Sequence, residues 1–216
     1  MSEHKTTGSR GGDVRLPLRI DTPDAWGTRA LAETCQLLND HAHLEKKAAQ
    51  NALELLHRWP EPTPPDNWVV AMTAVARDEV EHLALVVRLL SRRGGRLTKS
   101  HSNRYAAALR GLVRGGGLEA TIDRLMISAL IEARSCERFA GLIQVLPKKV
   151  SDLYRSLLNS EARHFQEYLG LAEGVNQHSG GYEEFGARVN EFLTADAELV
   201  TAVDTQLRFH SGVPAA

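Results

Sequence analysis

Nothing in this chain alternates between apolar and polar at every second position. Its apolar residues recur at the three-to-four spacing of helices, and proline and glycine mark where each helix stops. Thr22, Pro23 and Asp24 read as N-cap, first helical position and first-turn acid. Helical character then continues to Arg58. Asn39-Asp40, a second capping pair, predicts a break that leaves a short lead helix and a longer one over about 41 to 58. Four prolines between Pro60 and Pro65 exclude a helix interior, and Asp66 opens the next helix, which Gly94-Gly95 stops after about Arg93. Asn103 to about Arg114 is a shorter helix closed by Gly115-Gly116-Gly117, and a long one runs from about Leu118 to Leu146. Another begins at about Pro147 and ends near Glu173-Gly174, and a last amphipathic helix spans about Tyr182 to Phe209. Residues 1 to 15, rich in Ser, Gly and charge, are expected to form a disordered lead, and 16 to 216 a single domain.

Two stretches on these helices carry the chemistry: Glu79-Val80-Glu81-His82 and Glu161-Ala162-Arg163-His164. A carboxylate and an imidazole three positions apart share one helix face, so both reach one metal ion or a close pair. A third such pair, Glu54 and His57, shows that the pattern alone is weak. Geometry separates them. Two antiparallel helices rise equally per residue, so positions equidistant from the turn lie level. Reflecting Glu79 and His82 through Thr63, the centre of the proline loop, lands at 44 to 47, where Glu45 stands; reflecting Glu161 and His164 through Pro147 lands at 130 to 133, where Glu132 stands. Glu, Glu-x-x-His, Glu, Glu-x-x-His over four helices is the ligand set of ferritin-like di-iron carboxylate bundles. The fold class is therefore all-α: a ferritin-like four-helix bundle with a helical crossover and extra N- and C-terminal helices. Glu54 and His57 lie on the last turn before the proline loop, off that level.

Cys35 and Cys136 are too few for a disulfide framework, and no Cys-x-x-Cys exists to hold zinc or a rubredoxin-type iron. The ligands of an exchangeable, oxygen-reactive site are then carboxylates and imidazoles: Glu45, Glu79, His82, Glu132, Glu161 and His164. Four carboxylates in a bundle core need two divalent ions to balance them. The two Glu-x-x-His glutamates are the natural bridges, and Glu45 and Glu132 the terminal ligands. Asp78 and His41 are candidates for orienting the ligands, against the plainer readings of an exposed ion pair with Arg77 and a core histidine. Tyr168 reads as core. Ser128, Ala129, Ser135 and Cys136, all small, surround Glu132 and place the substrate pocket on that side; efficient helix packing is the alternative.

The net charge of −1 gives no sign of a polyanion binder, but its distribution does. Between Glu81 and Glu119 no acidic residue occurs, while Arg88, Arg92, Arg93, Arg96, Lys99, Arg104, Arg110 and Arg114 are basic; these eight, with His101 and Tyr105 to stack a base, suit a nucleic-acid backbone. The last helix leans acidic through Glu183, Glu184, Glu191, Asp196, Glu198 and Asp204. No apolar run approaches the 18 or more residues of a membrane span and no signal-peptide apolar region is present, so no membrane role and a cytoplasmic location are expected.

Four blocks then carry a resemblance: Asp40-His41-Ala42-His43-Leu44-Glu45-Lys46-Lys47-Ala48-Ala49, Ala76-Arg77-Asp78-Glu79-Val80-Glu81-His82-Leu83, Arg92-Arg93-Gly94-Gly95-Arg96-Leu97 and Leu130-Ile131-Glu132-Ala133-Arg134-Ser135-Cys136-Glu137-Arg138-Phe139. Over about residues 24 to 175 the chain resembles the bacterial tRNA 2-methylthio-N6-isopentenyladenosine hydroxylases, the MiaE family. The resemblance implies a non-haem di-iron monooxygenase with tRNA as substrate and O2 as co-substrate, using the six ligands above. With no flavin, nicotinamide or haem signature, two electrons must come from an external donor, a partner reductase or ferredoxin. A ferritin-like iron-handling or peroxide-scavenging protein is the alternative with the same ligands, and a non-enzymatic helical binding module a third.

Overall fold

The computed structural model describes residues 17–178, 180 and 184–215. Seven α-helices occur among them: α1 (Asp24–Ala32), α2 (Thr34–Leu55), α3 (Asp66–Arg92), α4 (Arg104–Gly111), α5 (Gly117–Val145), α6 (Lys148–His178) and α7 (Phe185–Thr201). A 3-10 turn, Leu56–Arg58, finishes α2 before the prolines. Gly94 (φ 81°) takes the left-handed conformation that ends α3. The Asn103 side chain accepts a hydrogen bond from the Ala106 amide and so caps α4 as its sequence position implies.

The ferritin-like architecture follows from how these helices pair. α2 packs along α3 and α5 along α6, and α3 and α6 join the two hairpins. α2 and α5 stand apart, and the crossover carrying α4 rises over the gap between them. Thr121 Oγ1 donates to the Arg58 carbonyl at 3.0 Å, which ties the start of α5 to the end of α2 and shows that the crossover spans the length of the bundle.

Two apolar clusters fill the interior. Leu55, Trp68, Met72, Leu125, Phe165 and Tyr168 belong to one at the proline-loop end. Trp26, Leu37, Val86, Phe139, Tyr154 and Phe209 belong to the other. Each of α2, α3 and α6 passes from one cluster to the other at the level of Glu45, Glu79 and Glu161, so the buried carboxylates form a polar slab between two oily layers. The slab is destabilising by itself and is tolerated because the layers above and below bury large side chains.

Several boundaries differ from the expectation. Pro23, not Thr22, occupies the α1 N-cap; the Thr22 amide and hydroxyl both donate to the Glu137 carboxylate, at 2.8 and 2.5 Å. The break between the first two helices falls at Glu33, and α2 runs straight through Asn39 and Asp40. Those side chains find tertiary partners and so never compete for the helix backbone: Asn39 exchanges hydrogen bonds with Thr98, and Asp40 accepts from the Phe209 amide at 2.7 Å and from Arg208 at 2.9 Å. α6 continues through Gly174 to His178. α7 ends at Thr201, and residues 202–215 form an extended strap that folds back on the bundle, closed by the Asp204–Pro214 bridge. The expected start of the last helix at Tyr182 and the lead over residues 1 to 15 lie outside the described residues. No helix among the described residues is long and apolar enough to cross a membrane.

Candidate metal centre

Six side chains from four helices converge at one level: Glu45 from α2, Glu79 and His82 from α3, Glu132 from α5, Glu161 and His164 from α6, each no more than 6% exposed. Their atoms form two overlapping groups, Glu45-Glu79-His82-Glu161 and Glu79-Glu132-Glu161-His164, with the potential donor atoms within each group all inside 4.8 Å of one another. Glu79 and Glu161 belong to both groups. Each group thus has two shared carboxylates, one carboxylate of its own and one imidazole.

The contacts inside the cluster are close yet poorly aligned. His82 Nδ1 lies 3.0 Å from Glu161 Oε1 and 3.5 Å from Glu79 Oε2, and His164 Nδ1 lies 2.8 Å from Glu79 Oε1. All five of these atoms, and Glu79 Oε1 in particular, are buried with no hydrogen bond of acceptable geometry. Buried polar atoms left in that condition are rare unless an ion satisfies them. Their chemistry, carboxylate oxygens with one imidazole nitrogen per group, fits a pair of iron ions.

Electrostatics point the same way. Burial and the neighbouring Glu161 and Glu45 carboxylates push Glu79 up to about 8, and burial with Glu161 and Glu79 drives Glu132 well above the carboxylate range. Burial would lower the histidines, but the close Glu161, Glu45 and Glu79 carboxylates push His82 up to about 12, and Glu161 and Glu79 push His164 up to about 10. Shifts of this kind mark carboxylates crowded in a buried site, where divalent cations would supply the missing counter-charge.

The two orienting candidates touch the cluster. His41, 3% exposed, directs Nε2 at Glu45 Oε1 and stacks on Phe209 with ring centroids 4.7 Å apart. Burial drives it down to about 4, so it meets Glu45 as a neutral ring. Asp78 Oδ2 lies 3.4 Å from His164 Nε2 and also accepts from Arg163 at 2.6 Å, while Oδ1 accepts from Arg77 at 3.0 Å. The exposed ion pair and the ligand-orienting contact are thus both present in one carboxylate. Glu54 pairs with Arg58 on the surface, and exposed His57 takes no part in the cluster.

A cavity of about 100 Å³ opens from the carboxylates into the gap between α2 and α5. Ser128 and Ser135 line it as anticipated; Ala129 and Cys136 do not. Leu44, Ala48, Ala106, Ile127 and Ile131 make its walls apolar. Sequence reading missed Asn51, which donates to Ser128 Oγ at 3.0 Å, and His210, which sits 3.1 Å from Ser135 Oγ and comes from the C-terminal strap. It also missed the cations at the mouth, Lys47 and Arg124 beside the expected Arg110. The steps of four from Glu132 through Ser128 to Arg124 trace one helix face and could have revealed the last of these.

Parts of the charge reading need correction. Arg114 is not free, because the buried Asp123 takes it at 2.8 Å and Glu119 at 3.4 Å. The side chains of His101 and Tyr105 are buried and cannot stack a base: His101 lies on His43 and bonds Asp40 at 2.7 Å, and Tyr105 donates to Asp196 at 2.7 Å. Asp196 is no surface charge but the buried partner of Arg134, at 2.5 Å. Arg88, Arg92, Arg93, Arg96, Lys99, Arg104 and Arg110 are exposed. Arg92 lies thirteen residues beyond Glu79 on α3, about 20 Å from the carboxylate level.

The family model described as tRNA-(MS2IO6A)-hydroxylase (MiaE) matches residues 13–211. A Pseudomonas putida protein named tRNA 2-(methylsulfanyl)-N(6)-isopentenyladenosine(37) hydroxylase is 44% identical, covering 92% of this chain and 94% of its own. A Salmonella typhimurium protein of the same name is 33% identical, covering 92% of this chain and 89% of its own. Among solved structures, one titled Protein 43 with aldehyde deformylating oxygenase activity, from Synechococcus, superposes with a TM-score of 0.81 at 33% identity, covering 92% of this chain and 97% of that one.

Proposed function

Because this chain belongs to the MiaE family of tRNA hydroxylases, we propose that it adds one oxygen atom to the isopentenyl group of 2-methylthio-N6-isopentenyladenosine in tRNA. In this reading Glu45, Glu79, His82, Glu132, Glu161 and His164 would hold two iron ions. When bound, the iron pair supplies the activation of O2 that a carboxylate and imidazole bundle lacks by itself. The two electrons come from an external reductase or ferredoxin, in a cytoplasmic setting where tRNA is the partner.

The protein's own residues bind, orient and exclude water. The observation that carries the reading is the cavity: apolar along Leu44, Ala48, Ile127 and Ile131, ending at the four carboxylates, and edged at its mouth by cations. An isopentenyl group buries its methyl groups against those walls and brings its carbon–hydrogen bonds to the carboxylate level. The anionic remainder of the substrate stays outside with Lys47, Arg110 and Arg124. Neutral His41 fixes the carboxylate plane of Glu45, and Asp78 fixes the ring of His164. Burial of the whole cluster keeps bulk water from the reacting group.

The deciding experiment supplies iron-loaded, reduced protein with O2, an electron source and isopentenylated tRNA, then measures the mass of the released nucleosides. A gain of one oxygen atom on the modified adenosine is expected, and an unchanged mass with full iron content refutes the reading. The structural relative titled for aldehyde deformylating oxygenase activity supports a second substrate class, an aldehyde. The cation-edged mouth favours the tRNA, and turnover of aldehydes in the same assay would reverse that preference.

A further inference from the structure

Two cavities adjoin at the top of the gap between α2 and α5, and one side chain lines both. The inner one, about 100 Å³, is the apolar space above the carboxylates; it suits a side-chain-sized group and is too small for a nucleoside. The outer one is open and larger, about 540 Å³, and is lined by His57, Arg58, Pro60, Thr121 and Arg114. That volume falls within the range of about 300–1,000 Å³ that small-molecule sites occupy. Arg124, on α5, belongs to the walls of both.

Arg124 is also undercommitted. Its Nε is buried without a hydrogen-bond partner. Among the described residues, no carboxylate lies within ion-pair distance of Arg124, of Arg110 or of Lys47, whose ammonium meets only the imidazole of His101 at 2.8 Å. The other arginines of this end are spoken for: Arg58 by Glu54, Arg114 by Asp123 and Glu119, Arg188 by Asp123 and Glu191. Three cations left unpaired around one opening, in a protein of net charge −1, call for an anion from outside.

We propose that Arg124, with Arg110 and Lys47, grips the phosphodiester that joins the modified nucleotide to its neighbour, so that the isopentenyl group enters the inner cavity while the adjacent nucleotide rests in the outer pocket. The site reads a short stretch of strand, not a free nucleoside. Arginine suits the junction, because its planar fork holds two phosphate oxygens at once and stacks on a base. Arg88, Arg92, Arg93 and Arg96, toward the opposite end of α3, then meet other parts of the RNA or none. This inference rests on the tRNA reading above and adds to it the register of the strand.

The test compares affinities of the iron-loaded, full-length protein by fluorescence competition, using a labelled anticodon stem-loop RNA as tracer. The competitors are isopentenyladenosine as a free nucleoside and a trinucleotide with isopentenyladenosine at its centre. The wild type should bind the trinucleotide at least about tenfold more tightly than the nucleoside. Arg124→Gln should erase most of that difference and reduce the salt slope of stem-loop binding by about 0.7 for the lost phosphate. Arg110→Gln, on an exposed position, and Lys47→Gln should each act in the same direction and serve if the Arg124 variant folds poorly. Arg155→Gln, on the outer face of α6, should change neither quantity. Equal affinity of the wild type for trinucleotide and nucleoside, or unaltered slopes in all three mouth variants, overturns the strand path. Hydroxylation of the nucleoside, scored separately, distinguishes the two failures. Turnover without strand preference leaves the hydroxylase standing and removes the path, whereas strand preference without turnover on any substrate does the reverse.

Discussion

The two long seams of this bundle both carry buried carboxylates and behave as opposites. Between α3 and α6 the helices touch, His82 and His164 face each other with ring centroids 5.8 Å apart, and Asp78 with Arg163 and Arg77 closes the outside. Between α2 and α5 the helices part, Glu45 and Glu132 face a cavity, and the wall opposite the carboxylate level is borrowed from α4 and the C-terminal strap. A near-symmetric ligand set therefore becomes one-sided through what covers it. The imidazole side fixes the cluster, and the carboxylate side is where a substrate can arrive.

The largest effect on this contrast should come from loosening the roof of the open side. Asp123 is buried at the junction of the crossover, α5 and α7, where Arg114 and Arg188 both fork onto it at 2.8 Å. Asp123→Asn takes the buried counter-charge from two guanidinium groups, which keep only the exposed Glu119 and Glu191, and should cost about 3 kcal/mol of stability by urea titration. Burial acts to raise the Asp123 carboxyl, but hydrogen bonds from Arg188 and Arg114 hold it below the usual range. A carboxyl lowered by folding stabilises fully above its unfolded value of about 4 and loses that contribution as pH falls through its folded value. The variant should therefore show a flatter acid limb of stability below about pH 4 than the parent does.

Filling the open seam is the next test. Ser128→Leu puts a branched side chain where Asn51 now donates to the hydroxyl. Turnover of isopentenylated tRNA should fall by about 100-fold or more, as expected when bulk occupies the substrate volume, while iron per chain stays at the parental level. Loss of iron in step with turnover would show instead that the open seam supports the cluster. A smaller effect is expected on the closed side. Asp78→Asn removes the charge behind His164, and iron affinity should drop about 10–100-fold by competition with a chelator. A drop in turnover at saturating iron as large as that of the Ser128 variant would erase the distinction between the seams.

Much of this was legible because helices keep count. The reflections through Thr63 and Pro147 worked since two packed antiparallel helices share one rise per residue, and the structure brings Glu45 and Glu132 level with the paired motifs. What the chain concealed were partners chosen in three dimensions. Asn39 and Asp40 look like a helix stop because short polar side chains usually bond the backbone beside them; here Thr98, Phe209 and Arg208 reach them first. The run without acids between Glu81 and Glu119 drew attention to Arg114, which is neutralised by Asp123 just beyond it. Lys47 and Arg124, seventy-seven positions apart and each among mixed neighbours, form no run at all, yet they share one opening. The strap escaped notice since residues 202–215 carry no period, and tertiary packing alone gives Phe209 and His210 their places.

That strap sets an order of events for the making of the molecule. Phe209 completes the support of His41, and through it Glu45, while His210 finishes the wall of the inner cavity. Both lie beyond the last of the six cluster residues in chain order, so synthesis yields four carboxylates and two imidazoles before the residues that buttress one side of them. The strap thus completes the surroundings of the cluster last: a chain cut short of Phe209 would carry all six candidate side chains and still lack the ring that supports His41 and the wall that His210 supplies.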